Sequence, residues 1–287
     1  MNGNRSLGDI RGMREKRFFY SREHTLLVAL LPIILLVTGF TIGCHPEKTD
    51  SRPLSTLKLN SDGFWEEERL IYHGIPARIM FRLDQSKAED QASGVSNACW
   101  EKFEWIGTIA NAFDPQSEIS RINTVDKVQP ISVSPDMFTL LMLSRNMFRL
   151  SGGGFDPTVF PLKMLWRTAE QRRSLPTQSE ISEMLERTGF QKVHIMEGNG
   201  REVRFDNPRM QLDFGGIAKG YAVDKVREVL KASGVYDGMV QLGGEVSVFG
   251  NKGKEAWRIG IQHPTQLDAM RIPCALPQGP GSGPLWQ

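Results

Sequence analysis

Asp213, the pair Gly215-Gly216 and Lys219 bring a carboxylate, a glycine turn and an ammonium within seven residues of chain. They lie in the stretch MQLDFGGIAKGYAVDKVREVLKASGVYDGMVQLGGE, Met210 to Glu245. Free N–H groups at a helix start carry partial positive charge, glycine lets the backbone approach a ligand closely, and a lysine in the first turn adds a point charge. That combination suits a pyrophosphate. Neither G-x-G-x-x-G nor G-x-x-x-x-G-K-[ST] occurs in the stretch, so its spacing leaves two readings open. The second is a tight strand-to-helix connection whose Asp and Lys are merely solvated.

The elements that must position these residues are legible around them. Met210 to Phe214 reads as a short strand that ends at the diglycine. Ala218, Ala222, Val226, Val229 and Leu230 recur at helical spacing, and Gly234 ends a helix of about four turns. VQLGGEV then reads as another strand and glycine turn.

DFGGIAKGYAVD with VQLGGEV closely resembles the signature of the ApbE family, the FAD:protein FMN transferases. Two more stretches carry the resemblance in the right order: FDPQSEISRIN from Phe113 to Asn123, and GGGFDPTVFPLKMLW from Gly152 to Trp166. The similarity runs from about Leu70 to about Pro264. It implies an α+β fold, two-lobed and related to the T-fold, around a flavin cleft. It also implies transfer of FMN from FAD to a Thr or Ser hydroxyl of an exported or membrane-bound flavoprotein, with Mg²⁺.

Carried over residue by residue, the resemblance puts Phe113 against the isoalloxazine and Gly154, Phe155 and Asp156 along the FAD site. Asp213 and Lys219 come near the phosphates, and the backbone carbonyl of Gly216 becomes a metal ligand. No catalytic acid or base is identified. Where the family has M-G-T-P, this chain has His73-Gly74-Ile75-Pro76, which leaves a flavin contact by His73 open. Read without the resemblance, the Gly-rich segment is a loop with Phe155, Leu162, Leu165 and Trp166 as core anchors, and core packing is the expectation for Trp166.

Taken in order, residues 1–44 read as a signal peptide or membrane anchor. Arg5, Arg11, Arg14, Lys16, Arg17 and Arg22 precede an uncharged run from Thr25 to Cys44 that is about long enough to cross a bilayer. A cleaved signal, a retained anchor, and a lipoprotein acylated at Cys44 are the alternatives, and Gly43-Cys44 fits a lipobox. Each places the folded part outside the cytoplasm, and a retained anchor or an acylated Cys44 would hold it at the inner membrane on the periplasmic or extracytoplasmic face. The overall charge of +2 gives no reason to expect a nucleic-acid partner.

Residues 45–66 read as a polar linker and 67–265 as the flavin transferase domain. Ser96 to Phe113 reads as a helix carrying Cys99, taken as a buried free thiol and not as a disulfide partner of Cys274. Ser134-Pro135 opens a further helix, and the Thr177-x-x-Glu180 capping box opens another. Val193 to Met196 and Glu202 to Phe205 read as a hairpin, and Trp257 to Ile261 as a strand. Residues 266–287 are dense in Pro and Gly and read as an aberrant tail, without the family's late Asp and Thr. On that reading the chain is truncated and impaired as a transferase. A flavin-binding protein without transferase activity and an exported lipoprotein with no ligand are the other classes.

Overall fold

The computed structural model describes residues 52–53, 56–84, 89–125, 129–198, 200–262 and 270–275. All of them belong to one compact unit, Glu47–Gln287. The apolar run before Cys44 lies outside the described residues.

The main sheet is antiparallel throughout. Its strands are β1 (Arg52–Pro53), β2 (Lys58–Leu59), β3 (Trp65–Ile71), β4 (Ile75–Phe81), β8 (Gly238–Leu242) and β9 (Glu245–Phe249). They run in the order β1-β3-β4-β8-β9, with β2 also paired to β3. The linker expected over residues 45–66 is therefore partly sheet, since β1, β2 and the start of β3 come from it. Ala77, Ile79 and Phe81 are buried on one face of β4, while Met80 between the last two is buried on the other.

That face is covered by α1 (Glu89–Ala110) and α6 (Ala218–Ala232), which pack on each other. Cys99, Phe103, Ile106 and Ala110 form the buried stripe of α1, and Cys99 is a free buried thiol. Burial, with the charge of Glu67 behind it, pushes this thiol up to about 12. Glu67 on β3 is itself buried, and accepts from Ser96 Oγ at 2.5 Å and Trp100 Nε1 at 2.9 Å. Arg69 Nε completes the pairing at 2.8 Å, so a charged strand residue pins the helix to the sheet.

The second sheet holds β5 (Ile131–Ser132), β6 (Val193–Glu197) and β7 (Arg201–Phe205) in the order β5-β7-β6. Against β6 and β7 lies α3 (Pro135–Leu150), whose Ser134 cap accepts from Met137 N–H as the Ser-Pro signal predicts. Ile131, Val193, Val203 and Phe205 join the same core as Ile79 and Phe103, so the two sheets share one interior. The other face of the main sheet carries a smaller cluster of Phe64, Met80, Met239, Val248 and Trp257.

Three further helices complete the described part: α2 (Glu118–Thr124), α4 (Phe160–Gln171) and α5 (Gln178–Glu186). The capping box of α5 forms as read, with Thr177 and Glu180 bonding reciprocally. Beyond the main sheet, β10 (Arg258–Gln262) pairs with β11 (Met270–Ala275). The segment expected to be an aberrant tail thus contributes a strand.

Met210 to Phe214 is not a strand. Its alternation is genuine, with Met210, Leu212 and Phe214 fully buried, but among the described residues no strand pairs with it. The side chain of Asn123 replaces a ladder partner: its Oδ1 accepts from Leu212 N–H at 2.7 Å, and its Nδ2 donates to Leu212 O at 2.9 Å. Asp213 N–H donates to Pro157 O at 2.8 Å. A buried backbone must be satisfied, and here a side chain and a loop do it.

Candidate functional site

Asp213 leaves this extended segment and closes the glycine turn. Its Oδ1 accepts from Gly215 N–H at 2.9 Å, so the carboxylate holds the chain in the bend that starts α6. A bare helix end follows, because Ile217 supplies no side-chain cap. Gly216 packs close beneath Phe155: an added Cβ would stand 3.1 Å from that ring.

Two polar contacts fix α6 in place. Tyr221 Oη donates to Asp136 Oδ1 at 2.5 Å, and Trp105 Nε1 donates to Asp136 Oδ2 at 2.7 Å, tying α6 and α1 to the first turn of α3. Burial opposes the charge on Asp136, but these two bonds, together with the charges of Lys102 and Lys225, outweigh it and hold the carboxyl below its ordinary range. Lys219 Nζ sits between both oxygens of Glu245, at 2.6 and 2.7 Å, so the helix start is also tied to the first residue of β9.

In front of this helix end lies a cleft of about 670 Å³. Its walls come from three places: Ile106, Gly107, Ala110, Asn111 and Phe113 at the end of α1; Lys163 and Arg167 on α4; Asp213, Gly215, Ala218 and Lys219 at the turn. The β3–β4 hairpin closes it with Tyr72, His73 and Ile75. Tyr72 and His73 are both in the left-handed region, at φ 49° and 66°. Tyr72 Oη donates to Phe103 O, and its ring lies so close over α1 that a Cβ on Gly107 would meet it at 2.6 Å. That anchor sets His73 on the cleft wall, in the position where the resembling family has Met.

Phe113 is 46% exposed and presents its ring to the cleft, resting on Phe160 at 5.9 Å between centroids. Lys163 Nζ and Arg167 Cζ lie 5.0 and 5.7 Å from the centre of that ring. Lys163 also meets Asp213 Oδ2 at 2.6 Å. An exposed aromatic face, a bare helix N-terminus and three cations in one cleft suit a ligand with a flat ring system and phosphates.

Of the expected flavin residues, Phe113, Asp213 and Lys219 are therefore brought together. Gly154, Phe155 and Asp156 stand in the adjoining loop, outside the cleft's lining. Asp156 caps the short turn Pro157–Val159, with Oδ1 accepting from Thr158 N–H at 2.8 Å and Oδ2 from Phe190 N–H at 3.1 Å. It holds the floor of α4 in place. Trp166 is 51% exposed, not the core anchor expected of it, because the segment read as a loop is helical and turns that residue outward.

Lys163, Arg167 and Glu245 escaped the sequence reading. Lys163 and Arg167 stand four residues apart, one helical turn, and reading a helix after Pro161 shows them on one face. Among the described residues no three His, Cys, Asp or Glu side chains gather where they could hold a metal, and Asp213 is engaged by Lys163 and Gly215. The Gly216 carbonyl, expected as a metal ligand, has no such group beside it.

Comparison with known proteins gives the same direction. The profile of the ApbE family matches residues 74–277, running past Pro264, where the resemblance was read to end. The FAD:protein FMN transferase of Chlamydia muridarum is 30% identical over 184 residues, covering 63% of this chain and 58% of that protein. The chain thus spans little more than half the length of that relative. Among solved structures, the flavin transferase ApbE of Vibrio cholerae aligns with a TM-score of 0.59 at 27% identity, over 67% of this chain and 61% of that one. The ApbE protein of Thermotoga maritima aligns with a TM-score of 0.66 at 28% identity, over 75% and 68%. Because the match takes in the cleft's own residues from Phe113 to Lys219 and most of the chain besides, this protein belongs to the ApbE family.

Proposed function

We propose that this chain binds FAD in the cleft and transfers its FMN half to a Thr or Ser hydroxyl of an exported or membrane-bound flavoprotein. One observation carries the reading: residues from all three stretches that resemble the family, Phe113, Lys163 and the Asp213–Lys219 turn, line a single cleft of about 670 Å³. Relatives such as that of Chlamydia muridarum bear the name FAD:protein FMN transferase.

In the transfer the acceptor oxygen bonds to the phosphorus of the FMN half. The bond from that phosphorus to the bridging oxygen breaks, AMP leaves with that oxygen, and the hydroxyl proton passes to the medium. The chain's part is positioning and charge. Phe113 offers a stacking face, and the α6 N-terminus with Lys219 places positive potential where the leaving phosphate gains charge. Asp213 orients Lys163 and keeps the glycine turn closed. Dependence on Mg²⁺ and the metal role of Gly216 rest on the resemblance.

Attachment to the membrane through residues 1–44, with the folded part on the periplasmic or extracytoplasmic side, belongs to the same reading and rests on the basic start and apolar run. Among the described residues no helix is long and apolar enough to cross a membrane.

The test is incubation with FAD, Mg²⁺ and a flavinylation-competent acceptor, followed by in-gel flavin fluorescence. Fluorescence on the acceptor that requires this chain and is lost with its acceptor Thr or Ser replaced by Ala is the expected result. An unlabelled acceptor, beside a labelled one from a full-length relative, would contradict the reading.

A further inference from the structure

We propose that Arg167 is the residue by which this cleft selects phosphate-bearing flavins over riboflavin; the inference rests on the flavin reading of the same cleft. Three Lys or Arg side chains line it. Lys163 is held by Asp213 at 2.6 Å, and Lys219 by both oxygens of Glu245. Each of these cations arrives with its charge already balanced. Arg167 forms no ion pair among the described residues, so the surplus positive charge of the cleft sits on its guanidinium.

Its setting fits an anion. The guanidinium is exposed to solvent and rests near the ring of Phe113, 5.7 Å from its centre. A ring contact gives the side chain a seat without spending its N–H donors on an oxygen. A guanidinium fork matches two phosphate oxygens at once, which an ammonium cannot do, and such charge-assisted pairs are the stronger hydrogen bonds. Lys163, one turn earlier on α4, keeps the carboxylate of Asp213 from competing for Arg167. A phosphate entering the cleft therefore meets one unpaired fork. Riboflavin, with the same ring system and no phosphate, gains nothing from it.

The test compares FAD, FMN and riboflavin by quenching of flavin fluorescence on the full chain and on its Arg167→Ala and Arg167→Lys variants. Arg167→Ala is expected to weaken FAD and FMN by about tenfold and to leave riboflavin unchanged, with Arg167→Lys regaining part of the loss. The residue is exposed, so unchanged thermal melting of both variants is expected alongside. Equal loss for all three flavins would overturn the inference by placing Arg167 on the ring, and no loss for any would overturn it outright. A wild-type chain that binds none of the three would remove the flavin reading itself, and the inference with it.

Discussion

Lys163 Nζ stands 2.6 Å from Asp213 Oδ2, although the two residues are 50 positions apart. One comes from a helix and the other from the turn that opens the next helix in the cleft wall. The same carboxylate binds Gly215 N–H through its other oxygen, so a single ion pair ties α4 to the glycine turn. Lys163→Met leaves the carboxylate uncompensated beside the phosphate position, and FAD affinity should fall by roughly 1–2 kcal/mol. Adding Asp213→Asn keeps an acceptor for Gly215 and removes the charge, so the double variant should recover part of the loss. Titration of Lys163→Met, Asp213→Asn and the double variant with FAD measures the coupling, and a Lys163→Met variant as tight as wild type would show the pair to be idle.

The second cation behaves differently because its partner lies outside the cleft lining. Lys219→Ala should weaken FAD by roughly 1 kcal/mol, the scale of a charge-assisted hydrogen bond at a partly exposed site. Glu245→Gln should act in the opposite direction, since Lys219 loses the carboxylate that competes with the ligand for it. Calorimetric titration of the two variants checks the signs, and a loss of affinity in both would mean that Glu245 serves to aim the lysine.

Away from the cleft, the buried carboxylate of Glu67 joins β3 to α1 through Ser96 and Trp100. Glu67→Ala strands Ser96 and Trp100 in the interior and releases Arg69, at a cost of about 3 kcal/mol. Glu67→Gln, which keeps an acceptor, should cost less. Urea unfolding compares the two, and a Glu67→Ala chain as stable as wild type would show that the network contributes no stability.

Glu180 sets a pH dependence. The hydrogen bonds from Arg172 lead, with Thr177 N–H behind them, in holding its carboxyl down to about 2 from an ordinary 4.5. A carboxyl depressed on folding stabilises the protein fully above its unfolded value, and that stabilisation is lost as pH falls toward the folded value. The stability gap between wild type and Glu180→Gln should therefore be widest above about pH 5 and shrink between pH 4.5 and about 2. A gap that stays constant across that window would contradict the assignment.

What the sequence disclosed was mostly local. Ser134-Pro135, the Thr177–Glu180 box and the left-handed Gly234, at φ 77°, act within one turn of chain, and each forms as read. The glycine turn at the cleft was legible for the same reason, because Asp213, Gly215 and Lys219 are neighbours in sequence. Met210 to Phe214 misled, since alternating burial is all that a strand and an unpaired extended segment have in common. Its true partner, Asn123, lies 89 residues away. The helix α4 hid behind three glycines and two prolines, which read as a loop, and with it went Lys163 and Arg167. Trp166 turned outward because exposure depends on what packs against a helix, and a single segment does not carry that information.

The most direct measurement is a crystal structure of this chain with FAD. The pyrophosphate should lie against the Gly215–Lys219 turn, with a phosphate oxygen within hydrogen-bond reach of Arg167, and the isoalloxazine against Phe113. FAD bound away from the cleft, or lying in it with its adenine on Phe113 and its pyrophosphate remote from Lys219, would contradict this placement.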